Sequence, residues 1–100
     1  MNYCLTITTA AEEDLNSAFN WYESKRIGLG HDFLLQIDSC FRLIEREPFL
    51  FMKQYKDARF YLLKRFPYKV WYYVENKNVI VLAVFYAGRH KTLLTKRVDS

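Results

Sequence analysis

The sequence contains few of the residues that interrupt regular structure or cross-link a small chain. Its 100 residues include only three glycines, two prolines and two cysteines. Scarce glycine and proline indicate compact elements joined by short connections. Cys4 and Cys40 have no metal-ligand spacing, and two cysteines are too few for a disulfide scaffold. We therefore expect both to be reduced, packed thiols.

Signals for export and membrane insertion are also missing. The first residues lack a charged region followed by a long apolar stretch, which predicts no secretory signal. The longest apolar run, residues 79–88, has about half the length of a membrane-spanning helix. We therefore expect a cytoplasmic protein with no membrane partner.

A chain of this length is expected to form one domain. Residues 1–100 provide enough apolar surface for a single core and exclude a second. That core is predicted over residues 3–91, followed by a loose basic tail over residues 92–100. With 51% hydrophobic and 18% aromatic residues, the composition is typical of a folded chain.

Hydropathy periodicity predicts both helices and strands. Apolar residues alternate with period two near the amino terminus and after Pro48, and they recur at steps of three and four in between. Thr9 precedes Glu12 at the spacing of a capping box, which predicts a helix start there. The predicted elements are a strand over residues 3–8, helices from Thr9 to Gly28 and from Gly30 to Pro48, and strands over residues 59–65, 68–75 and 79–87.

These elements predict an α+β fold with the order β-α-α-β-β-β. The short connection between the helices favours an antiparallel hairpin, packed on one face of a small, mainly antiparallel, four-stranded sheet. Residues 79–87 are apolar on both faces of the predicted strand. That strand is therefore expected at the centre of the sheet, between the first strand and the strand that precedes it in sequence.

Charge is distributed unevenly along the chain. The net charge of the whole chain is +4. Residues 1–50 hold four Lys/Arg and eight Asp/Glu, a net charge of −4, whereas residues 51–100 hold eleven and three, a net charge of +8. The predicted helical half is therefore acidic and the predicted sheet half is basic, which permits contact with an anionic partner.

Cations and rings alternate onto one face of the predicted sheet. Lys69, Trp71 and Tyr73 fall on the face away from the helices, which is predicted to be open. Such a surface can hold phosphates and stack bases. The cations expected to join it are Arg59, Lys64, Arg65 and Arg89. A solvated basic face with packed aromatic residues explains the same pattern, and the composition does not decide between the two readings.

The sequence contains no recognisable metal or cofactor motif. Gly28-Leu29-Gly30 lacks the third glycine of a dinucleotide-binding loop and is explained as a helix cap. His31 and His90 have no cysteine or carboxylate at metal-ligand spacing. We therefore predict neither a metal nor a cofactor.

Several short motifs follow one another along these elements. They are Trp21-Tyr22-Glu23, Gly28-Leu29-Gly30 with Phe33, Pro48, Arg65-Phe66-Pro67-Tyr68, and residues 81–86 followed by Arg89. In this order, over about residues 3–91, they resemble the RelE/ParE superfamily of bacterial toxins from type II toxin–antitoxin systems. The resemblance is closest to the ParE-like, plasmid-stabilisation branch.

The resemblance implies a toxin that inhibits growth and is neutralised by a cognate antitoxin in a hetero-oligomeric complex. An antitoxin segment that folds on binding would cover aromatic side chains left at the surface of so small a domain. A dense aromatic core is the alternative use of the 18% aromatic content.

In the ParE-like branch, the resemblance implies inhibition of DNA gyrase, which requires no catalytic residues. The basic segment over residues 89–97 would then contact the target. The residues expected to contact a target or a nucleic acid are Arg59, Lys64, Trp71, Tyr73 and Lys91.

In the RelE-like branch, the resemblance implies a ribosome-dependent endoribonuclease that cleaves messenger RNA. Its candidate catalytic residues are Arg89, Lys69, Arg65 and His90, which would stabilise the scissile phosphate and transfer protons. The carboxyl-terminal ring of the relatives is absent here, and Tyr86 stands where many relatives have histidine. This incomplete acid/base set ranks the ribonuclease hypothesis below gyrase inhibition. A binding module that has kept the fold and lost toxicity is the third hypothesis.

Overall fold

A computed structural model describes residues 3–88 and 91–99 of the chain. The described part contains three helices and five strands, which confirms the predicted α+β class. None of its helices combines the length and the apolar character needed to cross a bilayer. In chain order the elements are β1 (Cys4–Ile7), α1 (Thr9–Lys25), α2 (Leu29–Arg46), β2 (Lys53–Tyr55), β3 (Ala58–Leu62), β4 (Tyr68–Glu75), β5 (Asn78–Tyr86) and α3 (Lys91–Asp99).

The five strands form one sheet in the order β1-β5-β4-β3-β2. β1 runs parallel to β5, and the other pairs are antiparallel. The predicted central position of β5, between β1 and β4, is confirmed. The predicted number of four strands is corrected to five, because β2 adds an edge strand. Its three residues include no β-branched side chain and are too few for an alternating pattern to reveal.

The strand predicted over residues 59–65 is shorter than expected. β3 ends at Leu62, and the following turn places Leu63 and Phe66 in the core at 4% and 5% exposure. The Leu63 N–H donates across this turn to the Tyr68 carbonyl at 2.9 Å. The apolar residues that extended the predicted strand therefore serve a buried turn.

The N-cap of α1 lies one residue earlier than predicted. The hydroxyl of Thr8, not Thr9, accepts the N–H of Ala11 at 3.1 Å. The predicted capping box of Thr9 with Glu12 is therefore wrong. An N-cap residue has extended backbone geometry, and the end of β1 supplies that geometry at Thr8, with ψ of 158°.

The helical hairpin packs on one face of the sheet, as predicted. Phe33, Ile37 and Ile44 of α2 are 0–3% exposed in one cluster with Tyr72 and Val81 of the sheet. The Tyr72 hydroxyl donates to the Pro48 carbonyl at 2.8 Å, so the ring is buried without an unpaired polar atom. Each Å² of apolar surface removed from water contributes about 25 cal/mol, so this cluster is the main source of stability.

The two cysteines have different environments. Cys40 is 1% exposed in the hairpin core, and burial raises the pKa of its thiol to about 12. Cys4 is exposed on the edge strand β1. The prediction of a packed thiol is therefore right for Cys40 and wrong for Cys4.

The segment predicted as a loose tail forms a helix. α3 places Leu94, 1% exposed, against Trp71, Ala83 and Phe85 on the sheet face opposite the hairpin. A nine-residue helix is not stable alone in water, so its order comes from this docking. The prediction of a loose tail is therefore wrong for residues 92–99, because local sequence does not record tertiary support.

The Glu23 carboxylate closes the turn between α1 and α2. Its two oxygens accept the N–H groups of Gly28 and Gly30, each at 2.9 Å. Gly28 has φ of 92°, and a Cβ on Gly30 would lie 2.8 Å from the Phe19 ring. The bond from the Gly28 N–H is the main cause that lowers the pKa of Glu23 below its usual 4.5. The carboxylate thus caps the amino terminus of α2.

Replacing Glu23 by Gln should destabilise the protein at neutral pH and lose this effect in acid. The folded-state pKa lies below 4.5, so the contribution of the carboxylate is complete above 4.5 and disappears as the pH falls through the folded value. Urea unfolding of both proteins at about pH 7 and about pH 3 measures the difference. Glu13→Gln, at an exposed position of the same helix, is the control. An equal loss of stability at both pH values would contradict the electrostatic cap.

Candidate functional site

Three predicted contact residues lie on β4, on the sheet face opposite the hairpin. Lys69 is half-buried, and its ammonium lies 4.6 Å from the centre of the Phe60 ring. Tyr73 is also half-buried, whereas Trp71 is only 6% exposed because α3 covers it. The prediction that this face is open is therefore wrong at Trp71.

Two of the predicted cations that the structure describes, Arg59 and Arg65, have separate local partners. Arg59 is paired in register with Tyr72 on the hairpin side, donates to the Phe51 carbonyl, and lies 5.1 Å from the Phe49 ring centre. Arg65, in the turn before β4, lies 3.9 Å from an Asp32 carboxylate oxygen of α2.

The remaining predicted residues are in different positions. Lys64 is exposed in the turn before β4, and Lys91 is the first residue of α3. Arg89 and His90 lie outside the described residues. The ribonuclease set therefore stays a prediction.

A bulge in β5 creates the attachment point for α3. Pairing with β4 steps from Trp71 opposite Ala83 to Tyr72 opposite Val81, which leaves Leu82 as an extra residue. β1 pairs with β5 only as far as Val81. Backbone groups of β5 beyond that point consequently need partners from outside the sheet.

Asp14 of α1 and Arg97 of α3 supply those partners. An Asp14 carboxylate oxygen accepts the Val84 N–H at 3.0 Å, and Arg97 donates to the Leu82 carbonyl at 3.1 Å. The two side chains also bind each other through two hydrogen bonds of 2.5 and 2.9 Å. The side chain of Asp14 is 12% exposed and that of Arg97 is 25% exposed. Because the pair is shielded from solvent, it contributes more to stability than a surface ion pair.

The last residue of α3 provides a second polar anchor. The Asp99 carboxylate accepts the Tyr55 hydroxyl at 2.9 Å and the Lys56 ammonium at 2.6 Å. The hydrogen bond from Lys56 is the main cause that lowers the pKa of Asp99. Cavities of about 450 and 400 Å³, both lined by Arg97, lie along α3. Polar anchors and Leu94, more than close packing, therefore hold α3 in place.

A cleft that the sequence did not predict opens between α1 and the sheet. Trp21 of α1 is 57% exposed and Tyr86 of β5 is 52% exposed beside a cavity of about 270 Å³. The position of Trp21 outside the apolar stripe of α1 is a sequence signal for such an exposed ring.

No group of three His, Cys, Asp or Glu side chains within residues 3–88 and 91–99 is arranged to hold a metal ion.

Replacing Asp14 by Asn should lower the free energy of unfolding by about 1.5–3 kcal/mol, because charge-assisted bonds to Arg97 are lost. It should also loosen α3 and make Trp71 more accessible to acrylamide. Urea unfolding and fluorescence quenching in a Trp21→Phe background measure the two effects.

The matched control is Arg42→Gln. It breaks the 3.0 Å ion pair between Arg42 and Asp38. The side chain of Arg42 is 76% exposed and that of Asp38 is 58% exposed. An exposed pair contributes less than about 1 kcal/mol, and Trp71 should be unaffected. Equal effects of the two substitutions would contradict a special role for Asp14.

Comparison with known proteins agrees with this architecture. A chromosomal ParDE toxin–antitoxin system from P. aeruginosa contains a chain with the same fold, at a TM-score of 0.73 and 16% identity. The match covers 82% of this chain and 92% of that one. No curated protein sequence gives a significant match. A family model described as the ParE toxin of the type II toxin–antitoxin system parDE matches residues 5–90. The chain therefore belongs to the ParE toxin family of type II toxin–antitoxin systems.

Proposed function

We propose that this chain is a growth-inhibiting toxin that acts on DNA gyrase in the cytoplasm and is neutralised by a cognate antitoxin. The observation that carries the proposal is the ParE family match over residues 5–90. Pairing with an antitoxin also underlies a proposed role in plasmid stabilisation. A cell that loses the gene pair would keep the toxin already made without a new supply of antitoxin.

The positions of the described cations favour target binding over RNA cleavage. Lys69 lies over Phe60 on the α3 side of the sheet, whereas Arg65 approaches Asp32 of α2 on the hairpin side. Phosphodiester cleavage needs charge-stabilising and proton-transferring groups around one phosphate. A contact surface has no such requirement.

The solvent-exposed flank of α3 is the proposed gyrase contact. Lys96 is exposed and Leu93 is 38% exposed, and both line the cavity of about 450 Å³ along this helix. Because Arg97 and Leu94 hold α3 against the sheet, the exposed residues of this flank are presented on a fixed helix. An apolar side chain next to a cation suits a protein surface with an acidic rim.

The direct test is expression of the chain from an inducible promoter, with and without the product of the neighbouring gene. We expect growth arrest that the neighbouring gene relieves, and inhibition of gyrase-catalysed supercoiling by the purified chain. Lys96→Glu should weaken that inhibition at least about tenfold, because it reverses the charge at the proposed contact. Lys77→Glu, a charge reversal in the turn between β4 and β5, should not.

Other outcomes would replace the proposal. Cleavage of translated messages that is lost in Arg89→Ala would support the ribosome-dependent endoribonuclease, with Lys69, Arg65 and His90 as its other candidate residues. Antitoxin binding without growth arrest would support the non-toxic binding module.

A further inference from the structure

The cleft beside Trp21 has the form of an anchor site for one side chain. Asp14, Ser17 and Trp21 line it from successive turns of α1, and Tyr68 and Tyr86 line it from the sheet. Its volume of about 270 Å³ is smaller than the ~300–1,000 Å³ typical of small-molecule sites. A single side chain of a partner protein fits this space better than a cofactor does.

The tyrosine wall of the cleft is held by contacts within the chain. The Tyr86 and Tyr68 rings meet edge to face, with centres 6.1 Å apart. The Tyr86 ring also packs against Gly88, where a Cβ would lie only 2.8 Å from a ring carbon. Tyrosine and tryptophan are among the residues that most often dominate binding energy, and a wall held in place loses less conformational freedom on binding.

The charges around the cleft favour an acidic partner. The Asp14 carboxylate is already used by Arg97 and the Val84 N–H. The Lys25 ammonium lies 4.0 Å from the centre of the Trp21 ring. Within the part of the chain that the structure describes, no carboxylate pairs with Lys25. A partner carboxylate next to the anchor side chain would therefore be attracted rather than repelled.

We infer that this cleft receives one apolar side chain from an acidic segment of the antitoxin, with a partner carboxylate bound by Lys25. This inference rests on the proposed function, which supplies the partner. It places part of the antitoxin-binding surface of this chain on α1, the start of β4 and the end of β5, on the hairpin side of the sheet. This surface is separate from the flank of α3 that is proposed to contact gyrase.

The exposed apolar segment after α2 is the competing surface. Phe49, Leu50 and Met52 are 57%, 59% and 76% exposed. Arg59 lies over the Phe49 ring and donates to the Phe51 carbonyl, so its charge is already used locally. This segment provides control positions, because its side chains are also large and apolar and at least as exposed as those of the cleft.

The test is the affinity of the purified chain for the protein encoded by the neighbouring gene, measured by isothermal titration calorimetry. Trp21→Ala and Tyr86→Ala should each raise Kd at least about thirtyfold, as expected for residues that dominate an interface. Lys25→Glu should raise Kd several-fold and reduce its salt dependence. Phe49→Ala and Met52→Ala should leave Kd within about twofold. All five positions are exposed, and thermal unfolding verifies that each variant is folded.

A second readout reports the contact directly. The chain has two tryptophans, so incorporation of 5-fluorotryptophan gives two fluorine resonances. On addition of the unlabelled partner, the Trp21 resonance should shift, while that of Trp71, buried under α3, should not.

The outcomes separate this inference from the proposed function. If the neighbouring protein does not bind the wild-type chain, both are overturned. If it binds the wild type and the Trp21→Ala and Tyr86→Ala variants equally well, the antitoxin pairing stands and the assignment of the cleft is wrong. Loss of affinity in Phe49→Ala or Met52→Ala alone would assign the contact to the segment after α2 instead.

Discussion

The carboxylate of Asp14 joins the three layers of the molecule. It accepts the Val84 N–H that β1 is too short to pair, and it binds Arg97, which donates to the Leu82 carbonyl at the bulge. Each of these groups would be costly to bury alone, and together they satisfy one another. The docking of α3 is therefore coupled to α1 through the edge of β5, although the two helices lie on opposite faces of the sheet.

Several described cations of the basic half are engaged in contacts within the chain. Arg97 binds Asp14, Lys56 binds Asp99, and Arg59 donates to a backbone carbonyl. These side chains hold the second face of the sheet and its edges together. Lys64 and Lys96 are exposed and leave positive charge in separate patches. Among the described residues, the positive charge left exposed is therefore local, which the net charge of +4 does not convey.

The aromatic residues serve both of the purposes that the composition left open. Phe33 and Tyr72 are fully buried, and the rings of Tyr22, Phe33, Phe66 and Tyr68 form one contacting group. Tyr86, 52% exposed, meets Tyr68 at the margin of this group, and Trp21, 57% exposed, lines the same cleft. The core rings thus support Tyr86, as a preorganised binding surface requires.

The sequence by itself determined the α+β class, the helical hairpin on one face, the central position of β5 and the family. These features can be read from hydropathy periodicity, short connections and short motifs, each of which lies within one or two neighbouring elements. Only the tertiary structure decided the fifth strand, the cover over Trp71 and the bond between Asp14 and Arg97. That bond joins residues 83 positions apart, and it forms because β1 stops at Ile7 while β5 continues beyond it. No local pattern contains this information, since the need for partners arises only when the strands are paired.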